Sequence, residues 1–246
     1  MGVDQCDQDG CGSEGDCYNR EHSWPQSWFK KQETPRTDLH HIFPTDCQVN
    51  KARADYPYGE VRSGTTYLNG SRLGPCKTPG YTGTVFEPID EYKGDFARAY
   101  FYMSVRYYEE DSLWKSTDMT DKSEILPWAM TMLLRWHKLD PVSQKEIDRN
   151  NVIYNDYQHN RNPFIDHPEY AEMIWDPNWS VAEESDHAQA SWMVVYDISG
   201  RKLLQTNVMS EEEAVISLKN QLQHGCYLLM LMDGNRVVAR RKLLVN

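Results

Sequence analysis

The residue pattern of the chain changes near residues 176–189, and this change limits what the chain can fold into. Before it, apolar and aromatic residues recur with the period of a helix, whereas after it short apolar runs alternate with turn residues. The segment itself contains Pro177 and several acidic and polar residues, which is typical of a linker. Because one core does not suit both patterns, we expect two separately folded parts.

These parts divide the 246 residues unequally. We expect an irregular, cysteine-containing lead-in at residues 1–20, a main domain at 21–178, a linker at 179–190 and a small β domain at 191–246. A main domain of this length is large enough to bury its own core.

Three helices are predicted in the main domain. The first begins at Asp95, where five residues recur at helical spacing: Phe96, Ala99, Tyr100, Met103 and Tyr107. The second covers residues 124–137, with Pro127 in its first turn, and the third covers residues 140–157, where an Asp-Pro pair begins it. Aromatic stripes of this kind are more typical of a core than of a ligand platform.

Short strands are predicted after the linker. Residues 192–196 and 202–204 form the first two, residues 214–218 a third, and residues 227–232 and 237–245 a closing hairpin. Short strands with closely spaced turns predict a small β-sandwich.

Net charge and cysteine content limit the classes of function and the compartment that we expect for the chain. The net charge of −11 argues against a protein that grips nucleic acid through overall basicity, although a local patch and a metal ion can meet phosphate in an acidic protein. Six cysteines favour an oxidising compartment, with unpaired thiols as the alternative. No apolar run approaches the roughly 20 residues that span a membrane.

Residues that can carry chemistry concentrate between residues 18 and 60. Three motifs lie there, in the order Glu21-His22, Asp38-Leu39-His40-His41 and Asn50-x-x-Arg53. The β-branched and aromatic content of residues 38–43, followed by Pro44, predicts a strand. Thr45 and Gln48 have the spacing of a capping box, so a short helix should begin there and carry the third motif on one face. The predicted local order is strand, strand, helix.

The residue types in these motifs suit metal-assisted phosphodiester hydrolysis. A histidine supplies a general base near neutral pH. A glutamate carboxylate and an asparagine carbonyl are hard oxygen ligands suited to Mg²⁺, and two protein ligands leave room for water and a phosphate oxygen. An arginine on the ligand helix can pair with a phosphate. Residue types and spacing alone leave open the alternative of a Glu-His pair in an ordinary loop with an amide on a helix.

The same stretch resembles the endonuclease I family of secreted bacterial nucleases, within the His-Me finger (ββα-metal) group. The resemblance covers residues 18 to about 175 and consists of several motifs in the family's order. These are Tyr18-Asn19-Arg20-Glu21-His22-Ser23-Trp24-Pro25, Asp38-Leu39-His40-His41, Asn50-x-x-Arg53, Phe86-Glu87-Pro88, Lys93-Gly94-Asp95-x-Ala97-Arg98, Tyr100-Phe101-Tyr102-Met103 and the run from Asn160 to Glu169. It implies an α+β fold with a ββα-metal core surrounded by helices.

The resemblance also implies the parts of an active site. His22 matches the base that activates water. Glu21 and Asn50 match the protein ligands of Mg²⁺, for which Mn²⁺ or Ca²⁺ are possible substitutes.

Other residues of these motifs are expected to assist. Asp38 and His40 fall in the family's strand motif, where the resemblance implies support of the base and the water shell. Arg53 is expected to position phosphate or to support the site. Some relatives carry a longer insertion with an arginine between the first two motifs. Here Arg36 is the only arginine among residues 23–37, and its role stays open.

The C-terminal part is similar to the sorting domain of type IX secretion substrates in Bacteroidetes. The similar segments are Val195-Tyr196-Asp197-Ile198-Ser199-Gly200-Arg201, Gly225-Cys226-Tyr227-Leu228-Leu229 and Lys242-Leu243-Leu244-Val245. This implies export, with the type IX machinery as a partner. Because the first residues contain no secretory apolar core, we expect a mature chain without its signal peptide.

Together these features predict a secreted, Mg²⁺-dependent endonuclease that acts as a monomer on DNA and RNA and leaves 5′-phosphates. The main alternative is a secreted surface-binding or adhesin-like protein with a nuclease-like fold and no cleavage activity. A secreted glycan hydrolase would rest on tryptophan and carboxylate richness alone.

Overall fold

A computed structural model describes residues 6, 11–176, 192–197, 202–207, 221–223, 225–233 and 236–245. The chain forms two compact units, Met1–Asp166 and His167–Asn246. Among the described residues, no helix is long and apolar enough to cross a membrane. The predicted linker and the predicted strand at residues 214–218 lie outside the described residues, and the expected domain boundaries stay predictions.

The first unit mixes short strands with helices. In chain order it contains β1 (Tyr18–His22), α1 (Glu33–Thr37), a 3₁₀ turn (Leu39–His41), β2 (Ile42–Asp46), α2 (Cys47–Arg53), β3 (Thr65–Thr66), β4 (Arg72–Pro75), β5 (Thr84–Glu87), a 3₁₀ turn (Asp90–Tyr92), α3 (Lys93–Arg106), β6 (Thr120–Asp121), β7 (Glu124–Ile125), α4 (Pro127–Leu139), α5 (Gln144–Val152), a π-helical turn (Ile153–Tyr157) and α6 (Pro163–Asp166). This mixture agrees with the predicted α+β class.

The predicted order of strand, strand and helix is present as β1, β2 and α2. The two strands are antiparallel, with His22 opposite Ile42. The predicted capping box is wrong, because the Asp46 side chain caps α2 by accepting from the Val49 amide. Gln48 instead donates to backbone carbonyls of the lead-in.

The segment before β2 also differs from its prediction as a strand. The Asp38 side chain accepts a hydrogen bond from the His40 amide at 3.0 Å and begins a 3₁₀ turn over Leu39–His41. Aspartate competes for nearby backbone amides in this way, so β2 begins only at Ile42.

The three long helices of the unit form where they were predicted, but two begin later. Glu124 and Ile125 belong to the short strand β7, so α4 begins at Pro127, the first helical position. A capping box between Ser143 and Glu146 begins α5, rather than the Asp-Pro pair before it. Helix α3 is the central helix, since every residue from Gly94 to Ser104 is buried.

Two disulfides fix the lead-in, one closing a loop within it and one joining it to helix α2. Cys6 pairs with Cys17 and Cys11 with Cys47, with Cα–Cα distances of 5.5 and 5.7 Å. Cys17 directly precedes β1 and Cys47 begins α2, so the crosslinks hold both elements at one end. Pairing of these four cysteines agrees with an oxidising compartment, whereas Cys76 is a buried free thiol.

The second unit contains helix α7 and four described strands. These are α7 (Glu169–Trp175), β8 (Trp192–Asp197), β9 (Lys202–Asn207), β10 (Gly225–Asp233) and β11 (Arg236–Val245). The strands form one antiparallel sheet in the order β11-β10-β8-β9, and the predicted closing hairpin is its β10–β11 pair. Alternate residues such as Met193, Val195, Leu229 and Leu231 form a buried cluster. The second sheet of the predicted sandwich is not among the described strands.

Arg98 of α3 joins the three long helices through a buried polar network. Its guanidinium donates to both carboxylate oxygens of Glu146 on α5, at 2.6 and 2.8 Å. It also donates to the Asp140 carbonyl after α4, at 2.9 Å, and contacts Nδ1 of His137 at 3.2 Å. Arg98 is fully buried, so losing one partner would leave an uncompensated charge in the core.

We expect Arg98→Met to lower the free energy of unfolding by about 3–5 kcal/mol, because it leaves the Glu146 carboxylate buried and unpaired. Arg106→Met is the matched control on the same helix. Arg106 pairs with Glu110 at 2.7 Å, but both side chains are substantially exposed, so we expect a loss of at most about 0.5 kcal/mol. Urea unfolding measures both values, and equal losses would contradict the assigned role of Arg98.

Candidate active site

A solvent-open cleft of about 800 Å³ lies beside the strand–strand–helix unit. Glu21 and His22 reach it from the end of β1, and Asn50 and Arg53 reach it from one face of α2. The Asn50 side chain donates to the Arg20 carbonyl at 3.4 Å, which holds the helix against the strand. The structure therefore brings four of the six predicted site residues together.

Glu21 is a buried carboxylate held by two partners. Its Oε1 accepts from the Tyr58 hydroxyl at 3.0 Å and lies 3.0 Å from Nη1 of Arg53. Burial raises the pKa of Glu21, and the Arg53 charge and the Tyr58 hydrogen bond offset part of this effect. Tyr58 is in turn positioned by backbone pairing beside β5, where the Gly59 amide donates to the Phe86 carbonyl at 3.0 Å.

Arg53 supports the cleft wall from inside. It donates to the carbonyls of His22 at 3.0 Å and Ser23 at 2.6 Å, and its guanidinium lies 4.5 Å above the Tyr58 ring. Burial is the largest influence and disfavours its charge, but Glu21, Tyr58 and Tyr100 together outweigh burial and raise the pKa of Arg53. Of the two predicted roles of Arg53, support matches this placement, because the guanidinium is 2 % exposed and already engaged.

His22 is held in one tautomer. Its Nε2 lies 2.9 Å from the backbone carbonyl of Arg36, which can only accept, so Nε2 carries the proton. Nδ1 therefore carries the unprotonated lone pair of the ring, which accepts a hydrogen bond from Nε2 of Gln26 at 3.1 Å. Burial lowers the pKa of His22, and the nearby charges of Arg20 and Arg36 lower it further. A neutral imidazole with its lone pair on Nδ1 can act as a base.

Asp38 is placed behind the cleft rather than in it. Its carboxylate accepts from the hydroxyls of Tyr102 at 2.7 Å and Tyr107 at 2.8 Å, and from Gln158 at 2.9 Å. Burial opposes the charge, but these hydrogen bonds and the two neighbouring histidines lower the pKa of Asp38. Asp38 thus anchors the turn before β2, and its predicted support of the base would act through that turn.

The two histidines of the turn are buried. His40 contacts the Asn160 carbonyl through Nε2 at 3.2 Å, and His41 contacts the Pro35 carbonyl through Nε2 at 2.6 Å. The ring of His41, not that of His40, packs against His22, with 5.3 Å between centroids. The structure therefore separates His40, like Asp38, from the cleft residues, and its supporting role stays a prediction.

The structure adds residues that the motifs did not single out. Tyr58 lies 37 residues after Glu21, so no local sequence pattern predicts the hydrogen bond between them. Gln26 follows His22 by four residues, a spacing that offers the only sequence signal for its contact. Arg36 acts through its backbone carbonyl, while its side chain pairs with Glu33 at 2.8 Å.

Residues 2–169 match the Endonuclease I family, and residues 181–246 match the secretion system C-terminal sorting domain. The first match covers most of the chain, so the chain belongs to the Endonuclease I family. The second match makes it a secreted protein, as the sequence analysis expected.

The curated relatives agree with this family. An extracellular ribonuclease of Bacillus amyloliquefaciens is 46 % identical over 172 residues, which cover 67 % of this chain and 55 % of the relative. An extracellular ribonuclease of Bacillus subtilis is 45 % identical over 172 residues, covering 67 % and 56 %. Endonuclease-1 of Buchnera aphidicola from Acyrthosiphon pisum is 26 % identical over 137 residues, covering 55 % and 47 %. The chain thus spans about half the length of the curated relatives it matches.

We expect acid to destabilise the fold through His41, whose pKa burial lowers to about 4. The usual value is near 6.5, so between these values the unfolded chain binds a proton that the folded chain does not. Stability should therefore fall as pH drops from 7 to 4, with His41 contributing about 3 kcal/mol.

Urea unfolding at several pH values measures this dependence. His41→Gln should lower stability at pH 7 but flatten the fall towards pH 4, since the buried titrating group is gone. His167→Gln is the control, because the His167 side chain is about half exposed, and it should keep the native dependence. A native slope in His41→Gln would contradict the assignment.

Proposed function

We propose that the chain is a secreted, Mg²⁺-dependent endonuclease that hydrolyses phosphodiester bonds of DNA and RNA with little sequence specificity and leaves 5′-phosphates. The observation that carries the proposal is the state of His22 in the cleft. Its Nε2 proton is bound by the Arg36 carbonyl, and its Nδ1 lone pair lies on a cleft wall shared with Glu21 and Asn50.

The oxygen donors of the cleft fit a hard divalent cation. In the part of the chain that the structure describes, only one carboxylate oxygen of Glu21 accepts hydrogen bonds, and the Asn50 amide uses its nitrogen, not its oxygen. One oxygen of each residue is thus available as a ligand, which suits Mg²⁺, with Mn²⁺ or Ca²⁺ as substitutes. Mg²⁺ bound there would supply charge stabilisation to the phosphate and the leaving oxygen.

His22 and Arg53 have different roles in the proposed reaction. His22 accepts a proton from the attacking water at Nδ1 when that water replaces the Gln26 amide as the partner of Nδ1, while its Nε2 remains bound to the Arg36 carbonyl and keeps the ring oriented. Arg53 holds the β1 end that carries His22 through the carbonyls of His22 and Ser23. Attack of the water oxygen on phosphorus forms the new P–O bond and breaks the P–O3′ bond. The 3′ oxygen leaves as a 3′-hydroxyl, so the phosphate stays on the 5′ end of the other product.

The C-terminal unit has a separate task in this proposal. Its match to a sorting domain supports recognition by the type IX secretion machinery. The catalytic residues proposed above all precede residue 54, so sorting and cleavage use different parts of the chain.

We expect His22→Ala to lower the cleavage rate about 10²–10⁴-fold, because it removes the general base. The substrates are supercoiled plasmid and a long RNA, each with Mg²⁺ or with EDTA, and the 5′ ends of products are tested by ligation. His159→Ala is the control, since His159 is exposed and does not line the cleft. Binding of nucleic acid without metal-dependent cleavage would reject the nuclease and favour the surface-binding alternative.

Asn50→Ala should raise the Mg²⁺ concentration that gives half-maximal rate by about tenfold or more, since changes even in the outer shell of a metal site weaken binding 10–100-fold. The matched control is Gln48→Ala on the same helix, because Gln48 donates to the lead-in carbonyls instead of facing the cleft. A Mg²⁺ titration of the rate measures both variants. An unchanged midpoint in Asn50→Ala would remove Asn50 from the ligand set.

A further inference from the structure

The cleft has a local charge opposite to that of the whole protein. The chain carries a net charge of −11, yet Arg20, Lys31 and Arg36 are exposed along the cleft, whereas its only exposed acidic residue in the described part of the chain is Asp55. Such a local excess of positive charge attracts a phosphate strand against the overall repulsion.

Lys31 and Arg20 differ from Arg36, because neither side chain forms an ion pair within the described residues. Arg36 pairs with Glu33 at 2.8 Å, and Arg20 lies on β1 next to Glu21, where its charge acts on the pKa of His22. The side chain of Lys31 forms no ion pair or hydrogen bond within the described ranges, although it lines the cleft. Its ammonium is therefore available to a ligand.

The backbone at Lys31 is held in an unusual conformation. Lys30 and Lys31 have φ angles of 52° and 54°, so two successive non-glycine residues are left-handed. Each such residue costs on the order of 1–3 kcal/mol and persists only where surrounding structure imposes it.

Buried aromatic residues impose this turn. Trp28 and Phe29 are 5 % and 0 % exposed, and Gln32 closes the turn by donating to the Phe29 carbonyl at 3.1 Å. The indole of Trp114 donates to the Gln32 side chain at 2.8 Å, which fixes the turn to the core. The position of Lys31 at the cleft is thus set by packing before any ligand arrives.

Gln26 links this turn to the proposed base. Its carbonyl accepts from the Lys31 amide at 2.9 Å, while its side chain donates to Nδ1 of His22 at 3.1 Å. Gln26 therefore lies between Lys31 and the proposed base along this hydrogen-bonded path, and Lys31 lines a neighbouring part of the same cleft.

We propose that Lys31 binds a phosphate of the nucleic-acid strand next to the phosphate that is cleaved. A lysine ammonium is a point charge that suits any backbone phosphate, so this contact positions the strand without reading its sequence. The inference rests on the proposed function and adds a binding position to the same cleft, for DNA and RNA strands alike.

The test compares Lys31→Ala with Lys30→Ala in the His22→Ala background, so that strands stay intact. Both substitutions remove one positive charge at a left-handed position, but Lys30 does not line the cleft. Fluorescence anisotropy measures the Kd for labelled single-stranded DNA and RNA of one sequence over a salt series. We expect Lys31→Ala to raise Kd about tenfold and to reduce the salt slope by about 0.7, as loss of one single-strand phosphate contact does.

Lys30→Ala should leave Kd within about twofold, and Lys31→Arg should restore most of the affinity, because either cation can contact phosphate. Thermal unfolding checks that all variants are folded. Equal effects of Lys30→Ala and Lys31→Ala would overturn the inference, since only overall charge would then matter. Loss of affinity for DNA or for RNA in Lys31→Ala but not in Lys30→Ala supports the inference.

Cleavage assays on variants that retain His22 separate this inference from the proposed function. Lys31→Ala should raise KM with little change in kcat, the pattern expected when binding but not the chemical step is lost. If the native chain cleaves and Lys31→Ala resembles Lys30→Ala, only the inference fails. If the chain binds strands through Lys31 but never cleaves them, only the nuclease proposal fails, and absence of binding to both strands rejects both.

Discussion

The buried ion pair between Glu21 and Arg53 is the interaction on which the cleft depends. Taking two charges out of water is costly, and the cost is offset only when both groups are also hydrogen-bonded. Here Tyr58 donates to the carboxylate, and the carbonyls of His22 and Ser23 accept from the guanidinium. Since Glu21 belongs to β1 and Arg53 to α2, these contacts hold the strand against the helix, so that Asn50 and His22 line the same cleft.

A second layer of buried polar groups holds the strand–strand–helix unit in the first domain. Asp38 takes hydrogen bonds from two tyrosines at Tyr102 and Tyr107 and from Gln158, and so ties the turn before β2 to the rest of the unit. Arg149 of α5 donates to the carbonyls of Leu39 and Ile42 on either side of the same turn. The geometry of the cleft side of the unit therefore also rests on buried polar contacts made on its other side.

The charge environment inside the cleft differs from the net charge of the whole protein. The chain carries a net charge of −11, so its overall field repels polyanions. Within the cleft, partial burial and neighbouring arginines lower the pKa of His22, and the carboxylate of Glu21 is buried. A site of this kind can hold a neutral base next to a cation and a phosphate.

The sequence by itself determined the elements that depend on local pattern. Helical spacing located α3, alternating runs located the hairpin of β10 and β11, and the motif order indicated that Glu21, His22 and Asn50 would meet. Helix starts were less predictable, because Asp46 and Ser143 compete with other capping candidates only a few residues away.

Only the tertiary structure decided which groups surround the predicted site residues. Tyr58 reaches Glu21 across 37 residues and Gln158 reaches Asp38 across 120, and the partner of His22 is a backbone carbonyl that any residue at position 36 would supply. Spacing in the sequence carries no information about such contacts, because hydrogen bonds between distant segments form only after packing has brought them together. The sequence therefore determined which chemical groups are present, and the fold determined their protonation, orientation and surroundings.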